Sequence, residues 1–166
     1  MIPPKEVLAI VDELRARHDP TSASYCCGHI SLSRPLKSVL TDDQLDELRL
    51  SMSNFPSFKV RYGPLITYPP HPGVCFDIQP NDKFIELKDR VHSTSAFTGF
   101  TYRRDSIPAH MTIAEFGYTW EQSEDLRKDL ENKVPSGEFL CDCIEYAVPN
   151  NEFFFERKLK VALGAI

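Results

Sequence analysis

Two short segments of the 166-residue chain place a histidine two positions before a hydroxyl side chain. The first is GHISLSRP, with His29 and Ser31, and the second is PAHMTIAEF, with His110 and Thr112. Alternate residues of a β-strand project from the same face, roughly 7 Å apart along the backbone. If both segments are strands, each motif therefore offers an imidazole and a hydroxyl to the same small anion.

Two imidazoles and two hydroxyls that converge on one point suit phosphodiester chemistry. One histidine can take a proton from the attacking oxygen while the other donates a proton to the leaving oxygen. The hydroxyls can donate hydrogen bonds to the non-bridging oxygens. We therefore predict that His29 and His110 are the catalytic acid and base and that Ser31 and Thr112 bind the phosphate. This chemistry requires no metal and no other cofactor, and we expect none.

Other interpretations of the same histidines stay open at this point. A histidine on a strand can be a structural residue, and the same cleft could bind a nucleotide or an RNA end without turnover. In a third interpretation His29 and His110 are ligands in a metal-dependent hydrolase. The remaining histidines have other settings: His18 and His92 lie near predicted helix C-termini, where a cation is favoured, and His71 lies in a proline-rich loop. We predict structural roles for these three.

The elements that would position the motifs follow the order helix, strand, helix, strand, strand, twice. Helical spacing of apolar residues marks PKEVLAIVDELRARHD and TDDQLDELRLSM, the second with Thr41 as N-cap, and later DKFIELKDRVH and TWEQSEDLRKDLENK. Strands are predicted at residues 28–32 and in SFKVRYGPLITY, GVCFDIQP, HMTIAEF, EFLCDCIEYAV and EFFFERKLKVAL. Lys59 and Arg61 alternate with apolar residues in one of these strands, and we expect them to form a solvated face.

A constant interval between corresponding residues indicates an internal duplication. The same 81 residues separate His29 from His110 and Phe58 from Phe139. We therefore predict an α+β fold built by duplication, in which two antiparallel sheets flank a central cleft and the helices pack on the outside. The repeats would cover about residues 3–79 and 80–163 of one bilobal domain that spans residues 1–166.

The composition of the chain limits the cellular compartments and the binding partners that we expect for the protein. The chain has a net charge of -5, which argues against binding of long double-stranded nucleic acid. Five cysteines favour a reducing compartment, and neither Cys26–Cys27 nor the Cys141/Cys143 pair has the spacing of a zinc site. No apolar run of about 18 residues and no secretory signal are present. We expect a cytoplasmic monomer that does not interact with membranes.

A long segment precedes the second motif, in STSAFTGFTYRRDSI. Long loops in compact domains are often functional. Tyr102 and Arg103 lie in this segment, where an aromatic ring beside a guanidinium could stack on a base and hold a phosphate. We predict these two residues as further substrate contacts, with an exposed loop and one anchoring ring as the alternative.

The paired motifs HISL and HMTI resemble those of the two-histidine phosphoesterase superfamily, which includes RNA 2',3'-cyclic phosphodiesterases and 2'-5' RNA ligases. The resemblance covers nearly the whole chain and includes RARHDP and IPAHMTIAEF. It implies a bilobal fold with a central cleft, His29 and His110 as acid and base, and Ser31 and Thr112 as phosphate ligands. The implied reaction opens a 2',3'-cyclic phosphate to a 2'-phosphate, or cleaves a 2'-5' linkage, on a nucleotide or an RNA end.

The chain departs from this family pattern at two places. Members usually begin with a strand before the first helix, so either the first half lacks an edge strand or the protein extends further upstream. Proline often precedes each histidine in the family, whereas Gly28 and Ala109 stand at these positions here. Both departures concern subfamily and substrate, because neither removes a group that the chemistry needs.

Overall fold

The computed structural model describes residues 1–36, 38–67, 71–99 and 108–164. The helices in these ranges are α1 (Lys5–His18), α2 (Pro20–Tyr25), α3 (Asp42–Ser53), α4 (Asn81–His92) and α5 (Trp120–Leu130), with a 3-10 turn at Ser95–Phe97. The strands are β1 (Phe58–Thr67), β2 (Val74–Gln79), β3 (His110–Ala114), β4 (Gly137–Cys141), β5 (Cys143–Pro149) and β6 (Phe155–Ala162). None of the helices in this described part of the chain has the length and apolar character needed to cross a bilayer.

The strands form two antiparallel sheets of different size. Four strands in the order β3-β2-β1-β4 make a sheet that curls into a half-barrel. The hairpin of β5 and β6 forms a small second sheet. The predicted mixture of helices with antiparallel strands is therefore confirmed.

Side-chain alternation explains why the four-stranded sheet has one apolar face. In β1, Phe58, Val60 and Tyr62 are buried, whereas Lys59 and Arg61 between them are exposed, as predicted. Each apolar side chain on this face adds about 1.5–3 kcal/mol of burial free energy. Helix α4 contributes Phe84 to the same core, with its ring edge-on to Phe58 at 5.3 Å between centroids.

Local capping fixes the starts of the two helices that follow the motifs. The Thr41 hydroxyl accepts a hydrogen bond from the Gln44 amide, and the Gln44 side chain accepts one from the Thr41 amide. Thr119 and Gln122 form the same reciprocal pair at the start of α5. Such pairs satisfy amide groups that have no partner within the helix. The predicted N-cap at Thr41 is confirmed.

The strand predicted at residues 28–32 is not formed. The backbone of Ile30 exchanges two hydrogen bonds of 2.8 Å with Met1, one in each direction. A single pair of residues is not a ladder, so the segment that carries His29 and Ser31 remains irregular. The second motif, by contrast, lies on β3 as predicted.

The internal duplication is not confirmed. The stretch predicted as one strand in EFLCDCIEYAV breaks at Asp142 into β4 and β5, which belong to different sheets. Its counterpart in the first half, β1, is one strand of ten residues. In addition, β4 pairs with β1, with Val60 opposite Phe139, so the larger sheet combines strands from both halves of the sequence.

Candidate active site

Strand β3 presents the second motif on the face opposite the core. Met111 and Ile113 are fully buried, whereas His110 and Thr112, which alternate with them along the strand, are only half-buried. The predicted shared face of His110 and Thr112 is therefore confirmed. In the antiparallel register Asp77 lies opposite His110, so its carboxyl group projects from the same face of the sheet.

The first motif reaches its site from an irregular segment. His29 is half-buried and Ser31 is exposed, and both side chains line one cavity. The thiol of Cys26 lies beside the imidazole, with 3.6 Å between Sγ and Nδ1. Burial raises the pKa of Cys26, so this thiol is a weak acid that stays protonated near neutral pH.

The two imidazoles are held in the same way. His29 Nδ1 lies 2.9 Å from the carbonyl oxygen of Cys27, two residues upstream. His110 Nδ1 lies 2.9 Å from the carbonyl oxygen of Pro108, again two residues upstream. A carbonyl accepts only, so each Nδ1 carries the proton that it donates, and Nε2 is the basic nitrogen of the neutral ring. His110 lies on a strand and His29 on an irregular segment, yet both rings are held in the same tautomer.

A buried arginine connects the two motifs. Arg15, on α1, is 3 % exposed, so its charge is shielded from water. Its guanidinium donates to the carbonyl oxygen of Thr112 at 3.0 Å and to those of Ser22 at 2.9 Å and Cys26 at 3.3 Å. These bonds tie β3 to the segment that leads into His29. No pattern in the sequence marks Arg15 as a site residue, although it is the first residue of the stretch RARHDP.

The neighbouring carboxylate anchors the end of β3. Asp19 is 2 % exposed and accepts from the backbone amides of Glu115 at 2.8 Å and Phe116 at 3.0 Å. It also accepts from the amide and the hydroxyl of Ser22, at 2.9 and 2.7 Å. Burial alone would raise the pKa of Asp19, but the hydrogen bonds from Ser22, Phe116 and Glu115 outweigh burial and lower it. Asp19 is therefore an ionised anchor for the strand that carries His110.

The electrostatic surroundings of His29 favour its neutral form. Burial lowers the pKa of His29 from 6.5 to about 4, against the hydrogen bond to the Cys27 carbonyl, which raises it. The positive charges of the Met1 amino group, of Arg15 and of His110, in that order, lower the pKa further.

The surroundings of His110 contain groups of both signs. Burial is the largest cause that lowers the pKa of His110, and the hydrogen bond to the Pro108 carbonyl opposes it. Lys88 and His71 lower this pKa through their positive charge, whereas Glu115 raises it. At neutral pH both catalytic candidates are therefore predominantly neutral in the unliganded protein.

Two cavities adjoin the two motifs. His29 and Ser31 line a cavity of about 570 Å³, which extends toward the β5–β6 hairpin. His110 and Thr112 line a cavity of about 10 Å³ together with His71. We predicted a structural role for His71 and not a position beside the second motif. The sequence of a proline-rich loop does not indicate which part of the protein the loop contacts.

The remaining predictions concern the substrate contacts in the long segment, the histidines at the helix ends and metal binding. Tyr102 and Arg103 lie outside the described residues, so their predicted contacts stay predictions. Burial lowers the pKa of both His18 and His92, so neither is held as a cation at its helix end. Within the described ranges, no three or more His, Cys, Asp or Glu side chains group together as potential metal ligands.

Comparison with models of known protein families identifies the family of this chain. A model of the 2'-5' RNA ligase superfamily matches residues 3–151 of the chain. The matched stretch includes both motifs, Arg15, Asp19 and all elements from α1 to β5. No curated protein matches the chain.

Proposed function

The chain belongs to the 2'-5' RNA ligase superfamily, and from this membership we propose that it is a metal-independent phosphodiesterase. The superfamily itself implies an enzyme of phosphoesterase or ligase type. The proposed reaction opens 2',3'-cyclic phosphates or cleaves 2'-5' phosphodiester bonds, carried by nucleotides or RNA ends. His29 and His110 are the proposed catalytic residues, and Ser31 and Thr112 the proposed phosphate ligands.

One observation supports this proposal most strongly, the matched tethering of the two imidazoles. Each Nδ1 is bonded at 2.9 Å to the carbonyl two residues before its own histidine, and each ring is followed two residues later by a hydroxyl. A structural histidine needs no such equivalence with another histidine 81 positions away. In a pair of proton-transfer groups the equivalence has a use, because the tether at Nδ1 assigns proton exchange with the substrate to Nε2 of each ring.

In the proposed reaction the two rings act in opposite directions. One neutral imidazole takes the proton of the attacking oxygen as that oxygen bonds to phosphorus. The other, protonated, donates its Nε2 proton to the ester oxygen as the phosphorus–oxygen bond breaks. The hydroxyls of Ser31 and Thr112 donate to the non-bridging oxygens, where negative charge increases in the transition state. Each such proton transfer typically contributes about 10²–10⁴-fold to the rate.

The lowered pKa values require a source for the second proton. Near pH 7 both imidazoles are mostly neutral in the unliganded protein, since burial lowers the pKa of each. A phosphodiester anion between the rings favours the charged form of an imidazole and raises its pKa. We therefore expect substrate binding to be coupled to uptake of about one proton. Calorimetry of phosphate binding in buffers of different ionisation enthalpy measures this uptake directly.

A side-by-side substrate panel tests the proposed reaction. The panel contains 2',3'-cyclic nucleotides, 2'-5' dinucleotides and small cyclic phosphoesters, each assayed with excess chelator. Turnover in chelator with a defined product regiochemistry supports the proposal. Binding without turnover would instead indicate a nucleotide-binding or RNA-end-binding module, and activity that chelator removes would indicate a metal-dependent hydrolase.

A further inference from the structure

The residue before each motif histidine is held by a side chain from a helix. The backbone amide of Gly28 donates to Oδ1 of Asp12, on α1, at 2.6 Å. The backbone amide of Ala109 donates to Oδ1 of Asn81, the first residue of α4, at 3.0 Å. We call these bonds the Asp12 clamp and the Asn81 clamp. They are separate from the tethers at Nδ1, although each lies next to one.

Each clamp and the tether beside it share one peptide unit. The Cys27 carbonyl, which accepts from Nδ1 of the first imidazole, and the clamped Gly28 amide belong to the same peptide. The Pro108 carbonyl, which accepts from Nδ1 of the second imidazole, and the clamped Ala109 amide belong to another. A peptide unit is planar, so a bond that fixes the direction of its N–H group also fixes the direction of its carbonyl. A helix side chain therefore sets the acceptor that orients each ring.

The two clamps make the same hydrogen bond from unrelated positions. Asp12 lies in the middle of α1, whereas Asn81 opens α4, so the spacing between the two motifs does not account for the match. Gly28 and Ala109 are both buried and both lie outside the strands, where a sheet would supply an acceptor. A buried amide without an acceptor destabilises a fold, and each clamp provides the acceptor that its amide needs.

Close packing against α1 brings the first motif within reach of Asp12. A Cβ atom at Gly28 would lie 2.5 Å from Cγ1 of Val11, which is fully buried. The backbone can therefore lie this close to α1 only where the residue has no side chain. The glycine before the first histidine thus has a physical reason, which is to let the Asp12 carboxylate reach the amide.

We propose that Asp12 and Asn81 are positioning residues for the two imidazoles, each acting through the peptide unit between its own side chain and the ring. An amide that donates a hydrogen bond is also a better acceptor at its carbonyl oxygen, so each clamp strengthens the tether at Nδ1. Nε2 of each ring is thereby held toward the substrate, and a displacement of about 1 Å can lower a rate by about a hundredfold. This inference rests on the proposed function, since it takes both rings as proton-transfer groups.

Paired substitutions separate the clamps from a general effect on folding. Asp12→Ala and Asn81→Ala remove the acceptor, whereas Asp12→Asn and Asn81→Asp keep an acceptor oxygen on a side chain of the same length. Asp125→Ala is the matched control, because Asp125 is exposed on α5. Turnover of 2',3'-cyclic AMP gives kcat and KM for each protein, and thermal unfolding checks that each variant is folded.

We expect each alanine variant to lower kcat by about ten- to a hundredfold with KM little changed, because a clamp acts on the orientation of a ring and not on substrate binding. The two variants that keep an acceptor oxygen, and the control, should retain the wild-type kcat. An alanine variant with wild-type kcat, or with a raised KM and unchanged kcat, overturns the proposal. A variant that keeps the oxygen but loses as much kcat as the alanine variant also overturns it.

The nitrogen chemical shifts of the imidazoles test the same positioning without turnover. Above the pKa of both rings, the wild type should show each ring with its proton on Nδ1. Asp12→Ala should mix the tautomers of His29 alone, and Asn81→Ala those of His110 alone. Unmixed tautomers in both alanine variants overturn the positioning role. A wild type that turns over no phosphodiester would instead refute the proposed function, whereas the chemical shifts still decide the role of the clamps.

Discussion

Acid titration of His29 provides a direct measure of how strongly the fold keeps this imidazole neutral. Burial lowers the pKa of His29 from 6.5 to about 4, so the folded state binds this proton less tightly than the unfolded state. The associated stabilisation is present above pH 6.5 and is lost as the pH falls from 6.5 toward 4. Since each tenfold change in proton affinity is worth about 1.4 kcal/mol, His29 accounts for a loss of about 3 kcal/mol over this range.

Urea unfolding at about pH 7.5 and about pH 4.5 measures this loss in the wild type, His29→Gln and Ser31→Ala. Glutamine keeps a donor for the Cys27 carbonyl but does not titrate, so we expect His29→Gln to lose about 2 kcal/mol less stability between the two pH values than the wild type. Ser31→Ala, a neighbour without a titrating group, should behave as the wild type. Contributions from Asp19, His18, His92 and His110 occur in all three proteins and cancel in the comparison.

Equal losses in the wild type and His29→Gln would refute the reasoning. They would mean that the folded protein lets His29 take up a proton as easily as the unfolded chain does. The mechanism would then not need His29 to take up a proton when substrate binds, and the expected coupling between phosphate binding and proton uptake would fail with it.

The remaining predictions concern the residues that hold the site. Arg15→Lys keeps the positive charge but loses the branched donor group that reaches the Thr112 carbonyl. We expect it to lower the free energy of unfolding in urea by about 1.5–3 kcal/mol and to lower kcat by a larger factor than it changes KM. An unchanged kcat would show that Arg15 has only a structural role. Asp19→Asn should destabilise by about 1.5–3 kcal/mol at neutral pH, measured by urea unfolding. That deficit should shrink as the pH falls below 3.8, where Asp19 itself takes up a proton. Thr119→Ala should cost about 1 kcal/mol in thermal unfolding through loss of the Gln122 cap, and no change would refute the capping role.

Local patterns in the sequence predicted those parts of the fold that depend on neighbouring residues. Alternation of Phe58, Val60 and Tyr62 with Lys59 and Arg61 predicted the two faces of β1. The same alternation placed His110 and Thr112 on one face of β3. In each case the buried and exposed positions follow from a period of two along one strand.

Features that depend on distant partners were not predictable in this way. The segment around His29 has the composition of a strand, but among the described residues the backbone of Ile30 pairs with Met1 alone. No local pattern in a sequence states how many partners a strand will find. The break at Asp142 likewise separates β4 from β5 because each pairs with a different strand. Arg15 is adjacent to the apolar Leu14 on α1, and its burial depends on carbonyls up to 97 residues away.

Turnover of 2',3'-cyclic AMP by the wild type, His29→Gln, His110→Gln and the double variant, all in excess chelator, tests the central claim most directly. We predict that the wild type is active in chelator and that each single variant loses about 10²–10⁴-fold in kcat. The double variant should be little worse than the weaker single one, because the two groups act as a unit. A single variant with wild-type kcat, or wild-type activity that chelator abolishes, would contradict the claim that two imidazoles act together on one phosphorus.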